Sequence, residues 1–192
     1  MTNHESRTCG TVVKKSNRRI ANKLKYFNYY LQKHVVMNIV IRKGKKEDLP
    51  RALELVMELA DFEKAPDAVT NTVADMERDG FGPNPVFRFH VAEVDGVMVG
   101  MALYFVKYST WKGKGLYLDD LFVTEKMRGK GIGKKLLDAF MQEAKAIDAK
   151  QVHWQVLDWN TPAIDFYKKI GARIEQEWWD CKMDEEDINR YL

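Results

Sequence analysis

From residue 37 onward, apolar and polar positions follow two rhythms. Residues 38–41 form a short β-prone run, broken by Lys43-Gly44-Lys45. Leu49, Leu53, Val56, Met57 and Ala60 then recur at the three- and four-residue spacing of one helical face. Pro50 falls near the helix start, where its missing N–H costs nothing. After a polar stretch through Pro66, Thr72 and Asp75 open a second short helix, which Gly80 and the breaker cluster Gly82-Pro83-Asn84-Pro85 end. Residues 86–94 and 97–106 read as strands joined by Asp95-Gly96, a tight-hairpin signal, and 116–123 as a third strand. Ile132, Leu136, Leu137, Phe140, Met141, Ala144 and Ile147 trace the stripe of a long amphipathic helix. Residues 151–157 return to a strand pattern. Thr161-Pro162 opens and Gly171 closes a helix holding Ala163, Phe166, Tyr167 and Ile170, and residues 172–183 are expected to add one or two strands. The order βααβββαβαβ(β) predicts one α/β domain built on a single mixed sheet.

Composition agrees with a soluble globular chain. Of 192 residues, 45% are hydrophobic and 31% charged, with a mean hydropathy of -0.44, and no apolar run nears the roughly 18 to 20 residues of a bilayer span. Cys9 and Cys181 stand at opposite ends, which excludes a disulfide framework or a cysteine zinc site as readings and makes a reducing, cytoplasmic setting the expectation. The net charge of +3 is uneven. Residues 1–36 hold eight Lys/Arg against the single acid Glu5, a net of +7, so 37–192 carry −4. The extension lacks the apolar core of a secretory signal. Its Tyr26, Phe27, Tyr29 and Tyr30 among basic residues suit a nucleic-acid contact, but a charge run alone discriminates poorly. The expected organisation is therefore a basic tail, 1–36, outside the fold, with Met37 an alternative translation start, and a domain from 37 to 192. Neither nucleic acid nor membrane is an expected partner.

Three features carry chemistry. Arg128-Gly129-Lys130-Gly131-Ile132-Gly133-Lys134 joins a strand to the amphipathic helix. Unpaired N–H groups, the helix dipole and close backbone approach at glycine make such a turn a cradle for a pyrophosphate. It is neither a dinucleotide fingerprint, which needs Gly where Lys134 stands, nor a Walker A loop, which needs Ser or Thr at Lys135. Asp119 and Asp120 interrupt an apolar strand, where alternation sends one carboxylate to each face unless a bulge or strand end intervenes; a buried one requires a partner or a task. Tyr167 falls on the apolar stripe of the last helix, where packing with a satisfied hydroxyl is the plain reading. His4, His34, His90 and His153 have no metal spacing, and no nucleophile elbow occurs, so no metal site is expected.

Taken in order, the strand, the glycine loop, the amphipathic helix, the next strand, Asn160-Thr161-Pro162-Ala163 and the helix bearing Tyr167 resemble the GNAT N-acetyltransferases over about residues 38 to 183. Asp79-Gly80-Phe81-Gly82, Tyr108-Ser109-Thr110-Trp111-Lys112-Gly113, Tyr117-Leu118-Asp119-Asp120 and Val156-Leu157-Asp158-Trp159-Asn160 are similar to the diamine acetyltransferase group, which takes in spermidine/spermine and thialysine acetyltransferases. The resemblance implies a GNAT fold and a homodimer, and direct acetyl transfer from acetyl-CoA to a primary amine in a ternary complex. It assigns the pantetheine arm to Leu121, Phe122 and Val123, with Asn160 and Ala163 flanking it. The pyrophosphate falls to Arg128, Gly129, Lys130, Gly131, Ile132, Gly133 and Lys134. It also makes Tyr167 the acid that protonates the departing thiolate. Asp119 stands where the family usually has Glu, and its shorter side chain favours a water relay or an electrostatic role over direct proton abstraction.

For the acceptor, the resemblance implies contacts from Glu63, Asp119 and Trp111, and the −4 domain suits a cationic amine. Glu177 is a further candidate contact, but the segment around it departs from the family pattern and a solvated strand acid is the plainer reading. Ser109 replaces an acid of the polyamine branch, so the expected acceptor is a small diamine or a lysine-like, thialysine-type amine. The alternatives are a polyamine acetyltransferase and a GNAT module that binds acyl-CoA without turnover.

Overall fold

The computed structural model describes residues 37–192; the expected basic tail, 1–36, lies outside the described residues. A five-stranded sheet runs in the order β1 to β5, with β1 (Ile39–Lys43), β2 (Arg88–Val94), β3 (Val97–Ser109) and β4 (Gly113–Val123) antiparallel and β5 (Val152–His153) parallel to β4. Asp95 and Gly96 turn the β2–β3 hairpin with φ of 51° and 81°, the double positive φ of a type I′ turn.

Helices α1 (Leu49–Phe62) and α2 (Val73–Phe81) cover one face. Pro50 occupies the first turn of α1, and the Thr72 hydroxyl caps α2 by accepting from the Asp75 N–H at 3.1 Å. Leu49, Ala52, Leu55 and Met76 pack there on Phe89, Val91, Met98, Met101 and Phe122. The opposite face receives α3 (Ile132–Ala146) and α4 (Thr161–Lys169), whose Ile132, Leu136, Leu137, Phe140 and Tyr167 meet Ala102, Tyr104, Leu116, Leu118 and Val123. Phe140 is fully buried; truncation to Ala at such a position costs roughly 3–5 kcal/mol, a large part of a domain's stability.

Two expectations fail at the C-terminal end. β5 is two residues long where 151–157 were expected, and residues 172–183 form no strand. Trp178 and Trp179 are adjacent, so an extended chain sends one indole to each side and cannot bury both on a single sheet face. A helix that the apolar pattern did not suggest, α5 (Glu185–Tyr191), follows; Asp184 caps it by accepting from the Asp187 N–H.

Candidate active site

The site begins where the sheet stops pairing. β4 and β5 pair only at Leu116↔Val152 and Tyr117↔His153, so beyond Tyr117 the outer edge of β4 pairs with no strand among the described residues. On its inner edge β4 changes phase. Leu103 pairs with Asp120 and Tyr104 with Leu118, so Asp119 is the extra residue of a β-bulge. Before the bulge, Leu116 and Leu118 face α3; after it, Val123 does, and Phe122 turns to the α1 side. The alternation expected at Asp119 and Asp120 is thereby broken: Asp120 takes the parity of Phe122 and looks toward α1.

The two carboxylates therefore differ. Asp119 is exposed and Asp120 partly buried. Burial first, then the neighbouring carboxylates of Asp119 and Glu63, pushes the Asp120 carboxyl up to about 7. Asp119 is raised by burial, with Lys182 opposing. Glu63 is the C-cap residue of α1. None of these three acids forms an ion pair among the described residues. With Lys182 the one cation among the described residues that bears on them, and on Asp119 alone, they make a net-negative group at the open edge of β4.

Next to it stands a site of opposite character. Gly131, φ 78°, is the N-cap of α3; no side chain caps this helix and its first turn holds no acid. Gly129 also has positive φ, 74°, and a Cβ on either glycine would point into open space. With Lys130 exposed beside the uncapped N–H groups, the turn suits an anionic diphosphate such as that of CoA. Lys134 is held by Asp138 at 2.8 Å. Arg128 does not reach out into the loop: its Nε–H donates to the Val123 carbonyl at 3.0 Å, and its guanidinium lies over Phe62 and Phe122 at 4.5 and 5.1 Å.

Tyr167, on α4, is buried against Trp154 and Phe166 at ring distances of 5.2 and 5.5 Å, and burial raises its pKa. Its hydroxyl has no hydrogen-bond partner among the described residues, yet it is not sealed from solvent. The ring is core, as the plain reading had it, and the hydroxyl is left available. Asn160 caps α4, its Oδ1 accepting from the Ala163 N–H at 3.4 Å. Trp111 is 83% exposed at the tip of the β3–β4 hairpin, roughly 20 Å along β4 from Asp119. There the Ser109 hydroxyl accepts from the Trp111 and Lys112 N–H groups, at 3.2 Å each, and so shapes the turn. Glu177 lies in the irregular, exposed tail.

Sequence reasoning gave Asp120 no role and passed over Lys64. The sequence held no clear signal for the first: residues 116–118 and 121–123 are apolar on both parities, so plain alternation fits them and the bulge comes into view only in the pairing with β3. Lys64 has φ 63° and sets its ammonium 5.1 Å from the centre of the Trp159 ring.

No group of three or more metal-ligating side chains gathers among the described residues, and no helix there is long and apolar enough to cross a membrane. A model of the acetyltransferase (GNAT) family matches residues 49–172. Over 164 residues the chain is 37% identical to the thialysine N-epsilon-acetyltransferase of Bos taurus, covering 80% of this chain and 96% of that relative. It is 37% identical over 158 residues to a spermidine/spermine N(1)-acetyltransferase-like protein of Homo sapiens, 77% of this chain but 23% of that longer protein. A solved aminoglycoside N-acetyltransferase in complex with CoA has a TM-score of 0.61 at 19% identity, covering 76% of this chain and 95% of its own, a likeness of fold alone. The matched stretch runs from α1 through the bulge and the glycine turn to the end of the Tyr167 helix, and with it the chain belongs to the acetyltransferase (GNAT) family, N-acetyltransferases that draw on acetyl-CoA.

Proposed function

We propose that the protein acetylates a primary amine of a small diamine or lysine-like acceptor, thialysine among them, by direct attack within a ternary complex with acetyl-CoA. One observation carries this reading: Glu63, Asp119 and Asp120 form a net-negative acidic group, opposed among the described residues only by Lys182 at Asp119, beside an uncapped, glycine-lined helix start. The first attracts a cation and the second an anion. The name of the Bos taurus relative supports the lysine-like acceptor. That of the human relative supports polyamines as the second reading, together with the −4 charge of residues 37–192.

An alkylammonium has a pKa near 10.4 and no lone pair to attack with, so a base must first take its proton. Asp120, pushed up to about 7, is ionised in a useful fraction at neutral pH and binds a proton far better than an ordinary carboxylate. Asp119 and Glu63 draw the ammonium in and keep Asp120 proton-hungry. Bound acetyl-CoA supplies a thioester: the amine nitrogen bonds to its carbonyl carbon, the C–S bond breaks and the sulfur leaves with the electron pair. The unpaired edge of β4 at Leu121 to Val123 offers backbone groups to the pantetheine and the carbonyl, with Asn160 and Ala163 at the start of α4 across the gap. Gly129, Gly131 and Gly133 with Lys130, Ile132 and Lys134 would hold the pyrophosphate. Tyr167, whose burial keeps its proton on at neutral pH, donates to the leaving thiolate.

We further infer a homodimer, supported by the large rings left in water at Trp111 and at Trp178 and Trp179, residues of the kind partners cover, with Trp111 free to reach a second copy's acceptor site. Sedimentation at working concentration tests this. The exposed free thiol of Cys181 suits the cytoplasm, which fractionation checks. The deciding experiment is thiol release from acetyl-CoA with thialysine, lysine, putrescine, spermidine and a peptide N-terminus. Turnover of the first three above spermidine is expected. Saturable CoA binding with no turnover of any amine would sink the proposal in favour of a binding module.

A further inference from the structure

At the end of α1 the chain does something that stability alone does not favour. Lys64 adopts φ 63°, its N–H donating to the Asp61 carbonyl at 3.1 Å, while the Ala65 N–H closes on the Ala60 carbonyl at 2.9 Å. This is the left-handed residue that terminates a helix, a position glycine fills at least cost because it has no Cβ to clash. A lysine there is strained backbone, and strain of this kind gathers where function needs it. The side chain has a definite seat: the ammonium stands over the Trp159 ring, and that ring packs on Phe62 with centroids 5.6 Å apart. Lys64 forms no ion pair among the described residues, although the Glu63 carboxylate is its immediate neighbour.

Glu63 belongs to the acidic group, and Trp159 directly precedes Asn160, the cap of α4. A cation seated on Trp159 therefore stands next to Glu63, at the edge of the acidic group, on the seam between the end of α1 and the start of α4. An acceptor with an ammonium at each end meets the acids favourably and the Lys64 charge unfavourably. One with an amine at one end and a carboxylate at the other meets both favourably. We propose that Lys64 is a specificity-determining residue that reads a carboxylate on the acceptor, so that the preferred substrates are ω-amino groups of free amino acids rather than plain diamines or polyamines. This rests on the amine-acetyltransferase reading above and narrows it.

The test uses acceptor pairs that differ only by the carboxylate: lysine against cadaverine, and ornithine against putrescine. In the full-length protein, Lys64→Gly should lower the lysine-to-cadaverine ratio of kcat/KM about tenfold, Lys64→Glu should lower it further, and Lys64→Arg should keep it, since a guanidinium also stacks on indole and pairs with carboxylate. Lys64→Gly should at the same time raise Tm, because it relieves the left-handed strain. A ratio unchanged in Lys64→Gly and Lys64→Glu, with the wild type active on amines, would overturn this inference and leave the acetyltransferase reading standing. A wild type that turns over none of the four amines would overturn that reading and this inference with it.

Discussion

Two groups of ionisable side chains, each built around one member drawn out of water, lie on opposite faces of one sheet, and they are treated in opposite ways. On the α3 face, Glu143 is paired with Lys43 of β1 at 2.6 Å. Its oxygen lies 3.9 Å from Nε2 of the buried His90, which stacks on Tyr104 at 5.4 Å. Burial keeps His90 neutral by lowering its pKa. Charge is balanced there, apart from one orphaned atom, His90 Nδ1. On the α1 face, Asp120 sits near Asp119 and Glu63, each acid discouraging the ionisation of Asp120. The balanced group ties β1 to α3. The unbalanced one stores an electrostatic cost that an incoming cation relieves, which is how a scaffold keeps a site ready for an amine.

Removing a member of each group should have effects of opposite sign. Asp120→Asn should reduce kcat about a hundredfold or more, measured by thiol release. Because the folded-state pKa of Asp120 lies above the ordinary carboxylate range, ionising it costs stability; that cost begins above about pH 4 and is complete above about pH 7. The same variant should therefore have a higher Tm at pH 8 and an unchanged one at pH 4. The wild-type kcat/KM should rise with pH through about 7 and lose that limb in the variant. Activity retained with the limb intact would remove Asp120 from proton transfer.

Tyr167→Phe comes next, with kcat down roughly tenfold to a hundredfold and CoA affinity nearly kept. Tyr104→Phe, a second buried tyrosine of the same face but stacked on His90, should leave kcat as it was; equal kinetic losses in both would erase the contrast. Glu143→Gln should do the reverse of Asp120→Asn, lowering stability by about 1–2 kcal/mol in chemical denaturation with kcat intact. The smallest effect is expected at His90. Its depressed folded-state pKa means that the unfolded chain takes up the proton first, so stability falls as pH drops below the ordinary histidine value of about 6.5. His90→Phe should flatten that part of the stability profile; a slope that persists would assign it to other groups.

Much of this was legible in the chain. The stripes of α1 and α3, the Asp95-Gly96 turn and the Thr72 cap follow from local spacing and turn chemistry, which need no knowledge of distant neighbours. The glycine turn was legible for the same reason. What escaped depends on contacts far along the chain. Arg128 reads as one more basic residue in a phosphate loop until Phe62 appears beneath it, and Lys64 as a solvated charge until its φ and Trp159 are known. The strands expected at 172–183 failed because a run of β-prone residues says nothing about whether a partner edge exists. The bulge was hidden for the same reason: residues 116–118 and 121–123 are apolar on both parities, and only the pairing with β3 shows that Asp119 is the extra residue.

That bulge has a consequence for how such a site changes over generations. With one residue to spare between Leu118 and Leu121, β4 acts as a phase shifter, isolating the apolar layers from whatever occupies positions 119 and 120. Acids there can be exchanged, shortened or moved by one position while Phe122 and Val123 keep their opposite allegiances. Loss of that single residue would restore plain alternation in the same register with β3 and leave Leu121, Phe122 and Val123 on the faces they now hold. The scaffold thus separates two kinds of drift: acceptor chemistry can wander one residue at a time while the timing of the strand beneath it holds.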